Sequence, residues 1–487
     1  MVNDENWRLS ATQYAAAELP AGIVHIGLGA FVRAHFAVYL EKLLNAGQAS
    51  YGMCAANIRS NVEIVEQLNR QKSYTVAEHE ADGSIVLRQV SSICEVLYAG
   101  TGHVQTLLER LKDPAVSIVS LTVTEKGYFF DASQQLLKWD AEEIQHDIAN
   151  PNTPKTAIGI LVASLRYYYD KHLPPFTVLS CDNMPHNGQS TRSAVVQLAE
   201  KWDSQFSKWI EATVAFPSTM VDRIVPAATQ ESITQINNLL GQAKAPWQQP
   251  YDQAPIACES FSQWVIEDAF SKGRPDFSQV GANFVTDVAP WEEMKLRMLN
   301  GSHSLIAYLG CLAGYQTVAD CMADSALVAL IKAYMLEEAV PTLNMPEGVD
   351  LNAYAEALLV RFSNNSLQHQ TRQIAMDGSQ KIPQRWLQGA CANLQCGKHP
   401  KITALGLAAW IVYLQNSRVQ DGYTVDDPLA EDLVPLAVQA NGIAGVIAFL
   451  QQPALAKFDL AAFPDAVNSI VQCIALLHRD VRAAFVH

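Results

Sequence analysis

The sequence is poor in charged residues. They make up 17% of the 487 residues, whereas apolar residues make up 49%. Soluble proteins usually carry about 25% charged residues, and disordered chains combine low hydrophobicity with high charge. The composition therefore excludes disorder over most of the chain and predicts large cores in about two to four domains. It also indicates buried surface at a domain or subunit interface.

An excess of basic residues is absent as well. Lys and Arg number 34 against 49 Asp and Glu, which gives a formal net charge of −15. A chain this acidic repels phosphate backbones, and no run of Lys and Arg forms a basic patch. Nucleic acid is therefore excluded as a partner. An anionic small substrate is not excluded, because a few local cations can outweigh the overall field.

Regular cysteine spacing and membrane-length apolar runs are also missing. The nine cysteines are odd in number and contain no Cys-x-x-Cys, which predicts reduced cytosolic thiols without a disulfide framework or a zinc site. The longest apolar stretch, 404–414, is too short to span a bilayer. The polar start, residues 1–10, carries no secretory signal. We expect a cytoplasmic monomer or small homo-oligomer with no metal and no membrane partner.

The first part of the chain alternates between strand patterns and helix patterns. This alternation is typical of an α/β domain with a parallel sheet. The turn sequence 81–83, between two alternating segments, predicts a hairpin. The predicted strands are 23–26, 51–58, 74–78, 85–90, 118–123 and 176–180, and the helices between them include 103–111 and 157–169.

Strand patterns nearly disappear after about residue 290. We therefore expect an α/β domain over residues 1–285 and a mainly α-helical domain over residues 286–487, with no internal repeat and no flexible linker. The helices predicted in the second domain are 291–312, 325–336, 351–362, 402–415 and 466–477.

The turn after the strand 23–26 has the chemistry of a nucleotide-binding loop. Gly27 and Gly29 permit a tight turn and a close approach of the backbone to a pyrophosphate, and the N-terminus of a following helix favours an anion. Val32 takes the place of the usual third glycine. The turn by itself leaves a dinucleotide site, a methyltransferase-type nucleotide site and an ordinary strand–helix turn open. Its place near the start of an α/β region favours a dinucleotide.

The acidic residue that usually binds an NAD ribose is not evident after the second strand. Asn57, Arg59, Ser60 and Asn61 lie there instead. Because an arginine such as Arg59 is suited to a 2′-phosphate, the choice between NAD and NADP stays open.

A second chemical cluster lies between Glu292 and His303. In an α-helix, Lys295, Asn300 and His303 lie within about 140° of one another around the axis. One helix face then presents an amine, an amide and an imidazole. A solvated helix start with a core histidine is the alternative that these residues leave open. Gly301 costs a helix about 1 kcal/mol relative to alanine, which indicates close packing there.

Taken together, several blocks resemble the polyol-specific long-chain dehydrogenases, the mannitol dehydrogenase family. Residues 27–35 are similar to the GxGxFxRAH opening of that family, and Lys295-x4-Asn300-x2-His303 is similar to its catalytic motif. The resemblance spans residues 23 to about 386. The other blocks that resemble the family are 180–183, 213–226 and 377–381.

This resemblance implies a Rossmann-type N-terminal domain, a helical C-terminal domain, NAD as the cofactor and hydride transfer without a metal, with NADP not excluded. It assigns Lys295 as the general acid/base. It assigns Asn183 and Asn300 as hydrogen-bond donors to the reacting oxygen, and His303 as a ligand of a neighbouring substrate hydroxyl. The cofactor-binding residues that it indicates are Gly27, Gly29, Ala30, Phe31, Arg33 and Asp222.

Within the family, the blocks 124–128, 294–304 and 373–381 are more similar to the bacterial fructuronate reductases, which interconvert D-mannonate and D-fructuronate. Mannitol dehydrogenases are expected to carry an arginine where this chain has Gln373. We expect Arg372 and Lys381 to bind the carboxylate of a sugar acid. The alternatives are a mannitol 2-dehydrogenase, another dehydrogenase acting on arabinitol or tagaturonate, and a catalytically inactive nucleotide-binding sensor.

Some of these residues also have a structural interpretation. Asn183 is suited to cap a helix that starts near His186, since Asn is a good N-cap residue. Asp222 and Arg223 are suited to form an ion pair. The histidines for which a structural, hydrogen-bonded role is favoured over catalysis are His25 and His35.

Overall fold

The computed structural model describes residues 6–59, 61–100, 102–131, 134–247, 251–364, 369–418 and 423–486. The chain forms two compact units that divide after Ala289. We call them the N-terminal unit and the C-terminal unit. The sequence predicted a boundary after residue 285.

Every strand in the described part of the chain belongs to the N-terminal unit. The strands are β1 (Trp7–Ser10), β2 (Ala21–Ile26), β3 (Gly52–Asn57), β4 (Tyr74–His79), β5 (Ile85–Val90), β6 (Ile93–Tyr98), β7 (Ile118–Leu121), β8 (Phe130–Asp131), β9 (Leu136–Leu137), β10 (Thr177–Ser180), β11 (Thr219–Asp222), β12 (Ile256–Glu259), β13 (Gln263–Glu267) and β14 (Asn283–Val285).

The central sheet of this unit has five parallel strands in the order β10-β7-β2-β3-β6. The chain runs outward from β2 through β3 to β6, and then returns to the other side of β2 for β7 and β10. The strand order therefore reverses beside β2, and open α/β sheets bind ligands at the carboxyl ends of the strands at such a point. This arrangement confirms the predicted Rossmann-type domain.

The central strands are apolar because both faces of the sheet are covered. All residues of β2, β7 and β10 are buried. Along β2, Val24 and Ile26 join the core on one face, and Ile23 joins the core on the other. This two-sided burial produces continuous apolar runs rather than alternation.

A second sheet has the order β1-β5-β4-β12, and a third has the order β11-β13-β14. Strands β4 and β5 pair antiparallel, with Tyr74 opposite Val90, which confirms the predicted hairpin. The helices of the N-terminal unit are α1 (Ala30–Ala34), α2 (Phe36–Asn45), α3 (Val62–Gln71), α4 (Val104–Leu111), α5 (Glu142–Ala149), α6 (Ala157–Asp170), α7 (Asn187–Trp202), α8 (Ser204–Thr213) and α9 (Gln230–Ala243).

The C-terminal unit is helical around one large core. Besides α-helices, its described residues form three π-helical segments, which we call π1 (Lys295–Asn300), π2 (Tyr334–Ala339) and π3 (Pro383–Leu387). Its α-helices, the first of which begins at the last residue of the N-terminal unit, are α10 (Ala289–Met294), α11 (Gly301–Ala313), α12 (Val318–Met322), α13 (Ser325–Ala333), α14 (Leu351–Phe362), α15 (Thr371–Ile374), α16 (Gly378–Ile382), α17 (Gln388–Gln395), α18 (Lys401–Asn416), α19 (Ala430–Gln439), α20 (Ile443–Leu450), α21 (Pro453–Ala456) and α22 (Pro464–Arg479).

The structure corrects the continuous helix that the sequence predicts over 291–312. That stretch comprises α10, π1 and α11, so the regular α-helix is interrupted. In contrast, the helix predicted over 351–362 coincides with α14. Of the helices that the structure describes, none combines the length and the apolar character that a bilayer crossing requires.

Candidate active site

The glycine turn after β2 requires a glycine at its first position. Gly27 has φ +113°, a conformation that residues with a side chain rarely adopt, and a Cβ atom there would collide with the carbonyl oxygen of Thr122. The Gly27 carbonyl accepts a hydrogen bond from the Thr122 hydroxyl at 2.8 Å. The turn is therefore held tightly against the loop that follows β7.

A buried histidine, His25, stabilises this turn through hydrogen bonds. The His25 ring contacts the Ser120 hydroxyl through Nδ1 at 2.8 Å, and the Thr122 hydroxyl through Nε2 at 2.8 Å. Burial lowers the pKa of His25 to about 3, so the imidazole is neutral. A neutral ring donates through one nitrogen and accepts through the other, and each hydroxyl can take the complementary role. His25 thus has the structural role that the sequence favours.

The next part of the turn is open. Gly29 is exposed, and a Cβ atom built there would meet no protein atom within 4 Å. Ala30 and Phe31, which begin α1, are partly exposed. Val32, at the usual third glycine, is fully buried in the core. Gly29 and the start of α1, which are predicted to approach a pyrophosphate, therefore border free space. Val32, which replaces the usual third glycine, lies on the side of α1 that packs into the core.

Arg33 faces the interior of the N-terminal unit. Its guanidinium donates to the carbonyl oxygens of Gly29 at 3.2 Å and Ala254 at 2.9 Å, and it lies over the Tyr74 ring. In this structure Arg33 braces the backbone of the glycine turn. Its predicted cofactor contact stays a prediction.

After β3, Asn57 is partly buried and Arg59 is exposed, with its guanidinium 5.5 Å from the centre of the Phe129 ring. Ser60 lies outside the described residues. The described residues at this strand end therefore include an exposed cation and no acidic side chain.

The loop after β10 carries Asn183, which is exposed. The adjacent Asp182 carboxylate accepts hydrogen bonds from the backbone N–H groups of Val123 at 3.0 Å and Thr124 at 2.8 Å. Asn187 donates to the Asp182 carbonyl at 3.0 Å. These bonds tie the loops after β7 and β10 together and fix the backbone from which Asn183 projects.

The structure corrects one structural alternative. The N-cap residue of α7 is His186 and not Asn183. Arg223, which was expected to pair with Asp222, is buried and pairs with Glu78 at 2.7 Å. Asp222 itself is buried at the end of β11.

In the C-terminal unit, the predicted catalytic residues lie on and just after π1. The Gly301 N–H donates to the Leu296 carbonyl, five residues earlier. A turn closed in this way holds one residue more than an α-helical turn, so the residues after it are rotated back by about 100°. Lys295, Asn300 and His303 consequently lie closer together around the axis than the predicted about 140°. All three are buried.

Side chains from distant segments stabilise this irregular helix. The Tyr334 hydroxyl, from π2, donates to the Arg297 carbonyl at 2.8 Å. Trp386, from π3, donates through Nε1 to the Gly301 carbonyl at 3.1 Å. A Cβ atom at Gly301 would collide with the Tyr334 hydroxyl, which explains the glycine in this helix. π-Helical segments are frequent at functional sites.

His303 carries a buried polar atom with no protein partner. Its Nε2 forms no hydrogen bond with any described residue, and its ring packs on Phe362 at 4.7 Å between centroids. Burial lowers the pKa of His303 well below its usual value, and neighbouring cations, including Arg385 and Lys295, lower it further. A neutral imidazole with a free nitrogen is suited to bind a hydroxyl group of a ligand.

The predicted carboxylate ligands make other contacts in the structure. Lys381 donates through Nζ to the carbonyl oxygens of Met376 at 2.6 Å and Ile374 at 3.3 Å. Arg372 is exposed, and its guanidinium lies 4.8 Å from the centre of the Tyr423 ring. The structure does not place Arg372 among the groups whose charges dominate the pKa of His303.

The sequence analysis did not single out Arg385, a cation that helps to lower the pKa of His303. Arg385 donates through Nη1 to Ser304, the residue that follows His303, at 2.9 Å. Its spacing of four residues from Lys381, which places the two cations on the same side of a helix, was the available indication.

The comparisons with known proteins agree with this architecture. Residues 21–279 match the mannitol dehydrogenase Rossmann domain, and residues 287–477 match the mannitol dehydrogenase C-terminal domain. The chain is 45% identical to the D-mannonate oxidoreductase of Escherichia coli K12, over 96% of this chain and 95% of the relative. It is 33% identical to the polyol:NADP oxidoreductase of Gluconobacter oxydans, over 86% of each.

A solved structure is also similar. The mannitol 2-dehydrogenase of Pseudomonas fluorescens, in a ternary complex with NAD and D-mannitol, is 35% identical to this chain. The TM-score is 0.83, over 98% of this chain and 96% of that one. On the family match, the fold and these relatives together, the chain belongs to the mannitol dehydrogenase family of oxidoreductases.

Proposed function

We propose that this protein interconverts D-mannonate and D-fructuronate with NAD(H), and that Lys295 is the general acid/base. The observation that carries the proposal is the buried set of Lys295, Asn300 and His303, in which His303 Nε2 has no hydrogen-bond partner among the described residues. The 45% identity to a D-mannonate oxidoreductase over nearly the whole chain supports the choice of substrate. We place the reaction in the cytoplasm, in a monomer or small homo-oligomer.

The N-terminal unit fits a dinucleotide. The open space at Gly29 leaves room for a pyrophosphate beside the backbone. We assign residues 1–285 to cofactor binding, and 286–487 to substrate binding and catalysis. The residues proposed to contact the cofactor are Gly27, Gly29, Ala30, Phe31, Arg33 and Asp222. NADP is not excluded, because Arg59 stands where NAD-specific enzymes carry an acidic residue.

Bound NADH supplies the hydride for reduction of the ketone. In that direction Lys295 donates a proton to the developing alkoxide, and in the oxidative direction it accepts the hydroxyl proton. A lysine does this near neutral pH when burial or a neighbouring cation favours its neutral form. Asn300 and Asn183 donate hydrogen bonds to the reacting oxygen. His303 binds a neighbouring substrate hydroxyl through Nε2.

A sugar acid also needs a cation for its carboxylate. Arg372 and Lys381 are the candidates from the sequence. Each already has a partner in the structure, a ring for Arg372 and two carbonyl oxygens for Lys381.

A polyol dehydrogenase is the alternative, and the relation to the D-mannitol complex favours it. The deciding experiment follows the absorbance of NADH with D-fructuronate, D-tagaturonate and D-fructose side by side, and repeats it with NADPH. We expect rapid oxidation of NADH with D-fructuronate. A preference for D-fructose would assign the protein to mannitol oxidation, and a lack of turnover with all three would favour the nucleotide-binding sensor.

The role of Lys295 is tested in the same assay. We expect K295A to lose turnover by about 10²–10⁴-fold, the range of general acid–base catalysis, with NADH affinity nearly unchanged. K457A removes an exposed lysine of the same unit and serves as the matched control. Turnover of K295A close to that of K457A would refute the assignment.

A further inference from the structure

Among the described residues, Arg385 has no acidic partner. It lies in π3 and is partly buried, and its side chain makes one hydrogen bond to the described part of the chain, from Nη1 to the Ser304 hydroxyl at 2.9 Å. No carboxylate of the described residues lies within 4.0 Å of its guanidinium. An arginine carries five N–H donors in a planar fork, and the bond to Ser304 uses one of them.

The surroundings of Arg385 make this lack of a partner unusual. Burial lowers the pKa of Arg385 to about 10, and the groups that oppose this effect are the phenols of Tyr308 and Tyr334. The guanidinium is nevertheless protonated at neutral pH. A desolvated charge without a counter-charge is unfavourable unless a partner completes it.

Arg385 is next to the proposed catalytic residues. Its hydrogen-bond partner Ser304 follows His303 in α11, and the adjacent Trp386 donates to the Gly301 carbonyl at 3.1 Å. The charge of Arg385 is also among the influences that lower the pKa of His303, as is the charge of Lys295. π3 therefore brings this guanidinium to the helix that carries Lys295 and His303.

The other basic candidates lack this combination. Three carboxylates, of Asp377, Asp426 and Asp427, act on the ammonium group of Lys381, whereas none acts on Arg385. Lys381 is also bound to carbonyl oxygens, as described above. Arg372 is exposed on the ring of Tyr423. Arg385 alone among these three combines partial burial, lack of an acidic partner and a hydrogen bond to the residue beside His303.

We propose that Arg385 binds the carboxylate of the substrate and thereby selects sugar acids over neutral polyols. The planar fork of an arginine matches the two oxygens of a carboxylate. The inference rests on the proposed function and adds to it the residue that recognises the acid.

The test compares two ketoses that differ only at one end. D-Fructuronate carries a carboxylate where D-fructose carries a hydroxymethyl group. We expect R385Q to lower kcat/KM for D-fructuronate by about 30-fold or more, since truncating a buried charged partner costs that much. The loss should appear mainly in KM. For D-fructose, kcat/KM should change by less than about 3-fold, which corresponds to well under 1 kcal/mol.

A matched control is R482Q, which removes an exposed arginine of the same unit that lies over the Tyr315 ring. It should leave both substrates unaffected. If D-fructose turns over too slowly, the dissociation constants of D-mannonate and D-mannitol in the presence of the cofactor give the same ratio. Equal losses for acid and neutral ligands in R385Q, or no loss for either, would overturn the proposal.

Folding and function are separated by two further measurements. Should R385Q unfold, R385K keeps the charge but loses the fork, and we expect it to raise KM for D-fructuronate with little change for D-fructose. An unchanged KM in R385K would contradict the proposal. Wild-type protein that reduces D-fructose but not D-fructuronate would refute the proposed function before any variant is tested. Normal wild-type turnover combined with an unaffected R385Q would refute only the role of Arg385.

Discussion

An alanine at Gly29 should block cofactor binding and leave the fold intact. The backbone of Gly29 is extended, with φ −91° and ψ −178°, which alanine adopts freely. A Cβ atom there meets no protein atom within 4 Å. It would occupy the space where we propose the pyrophosphate approaches. Loss of one hydrogen bond to a charged phosphate costs about 1.5–3 kcal/mol, so the Kd for NADH should rise by about 10–150-fold.

An alanine at Gly27, two residues earlier, should have a different effect. Its φ of +113° and its proximity to the Thr122 carbonyl force the turn to move. Strained backbone conformations of this kind cost about 1–3 kcal/mol, and the collision adds to that cost. At about 2–4 °C per kcal/mol, the scale for domains of about 150–250 residues, the N-terminal unit should melt several degrees lower. G29A should instead melt no lower than wild type and at most about 4 °C higher, since replacing a glycine of compatible conformation stabilises by no more than about 1 kcal/mol.

The assay is a fluorescence titration with NADH, combined with thermal melting in the presence and absence of the cofactor. Wild-type protein should gain stability as NADH saturates it, and G29A should gain little. G27A should melt lower without the cofactor. Tight NADH binding by G29A would refute the placement of the pyrophosphate at this turn. Equal melting of G27A and G29A would refute the argument from backbone conformation.

Three further predictions concern single side chains. Because the pKa of His25 is lowered to about 3, the unfolded chain binds a proton below about pH 6.5 that the folded chain does not. Stability should fall from about pH 6.5 towards pH 3, and H25Q should show a shallower fall in melting temperature; an equal slope would contradict this. Y334F loses the bond to the Arg297 carbonyl and should lower the free energy of unfolding by about 1–3 kcal/mol, and unchanged denaturant unfolding would count against the role of this bond. N300A should lower kcat by about 10²–10³-fold at constant NADH affinity, which stopped-flow reduction of D-fructuronate measures; a change in KM alone would assign Asn300 to binding.

Much of the N-terminal unit was predictable because its elements obey simple periodicities. The runs that became β7 and β10 are buried on both faces, so they read as continuous apolar segments, and a turn sequence marked the hairpin of β4 and β5. Strands β1 and β11 were not predicted, although they are as long as β7 and β10. Each lies at the edge of a smaller sheet and is defined by its pairing with one neighbouring strand. β1 contains the exposed Leu9 and exists only through its parallel pairing with β5. Such strands have no pattern of their own.

The candidate site was predictable as a set of residues and not as an arrangement. The resemblance to the family identified Lys295, Asn300 and His303 as catalytic candidates. The geometry of a regular α-helix, however, predicted a larger angle between them around the helix axis than the π-helical segment allows. The sequence analysis also suggested Arg372 and Lys381 as carboxylate ligands, because a sequence cannot show which cations already have hydrogen-bond or ring partners. Arg385 is distinguished by the lack of an acidic partner among the described residues. Only a tertiary structure can show that a cation lacks such a partner.

The interruption at π1 shows why the arrangement could not be read from the sequence. The Gly301 N–H bonds to the Leu296 carbonyl in place of the Arg297 carbonyl. The Arg297 carbonyl accepts from Tyr334 in π2, and Trp386 in π3 donates to the carbonyl of Gly301. Both π2 and π3 close with i→i+5 bonds as well. A buried carbonyl without such a partner is costly, so π1 depends on two side chains far away in the chain. The catalytic face is therefore a property of three segments that stabilise one another, and the segment that brings Trp386 to the catalytic helix also brings Arg385.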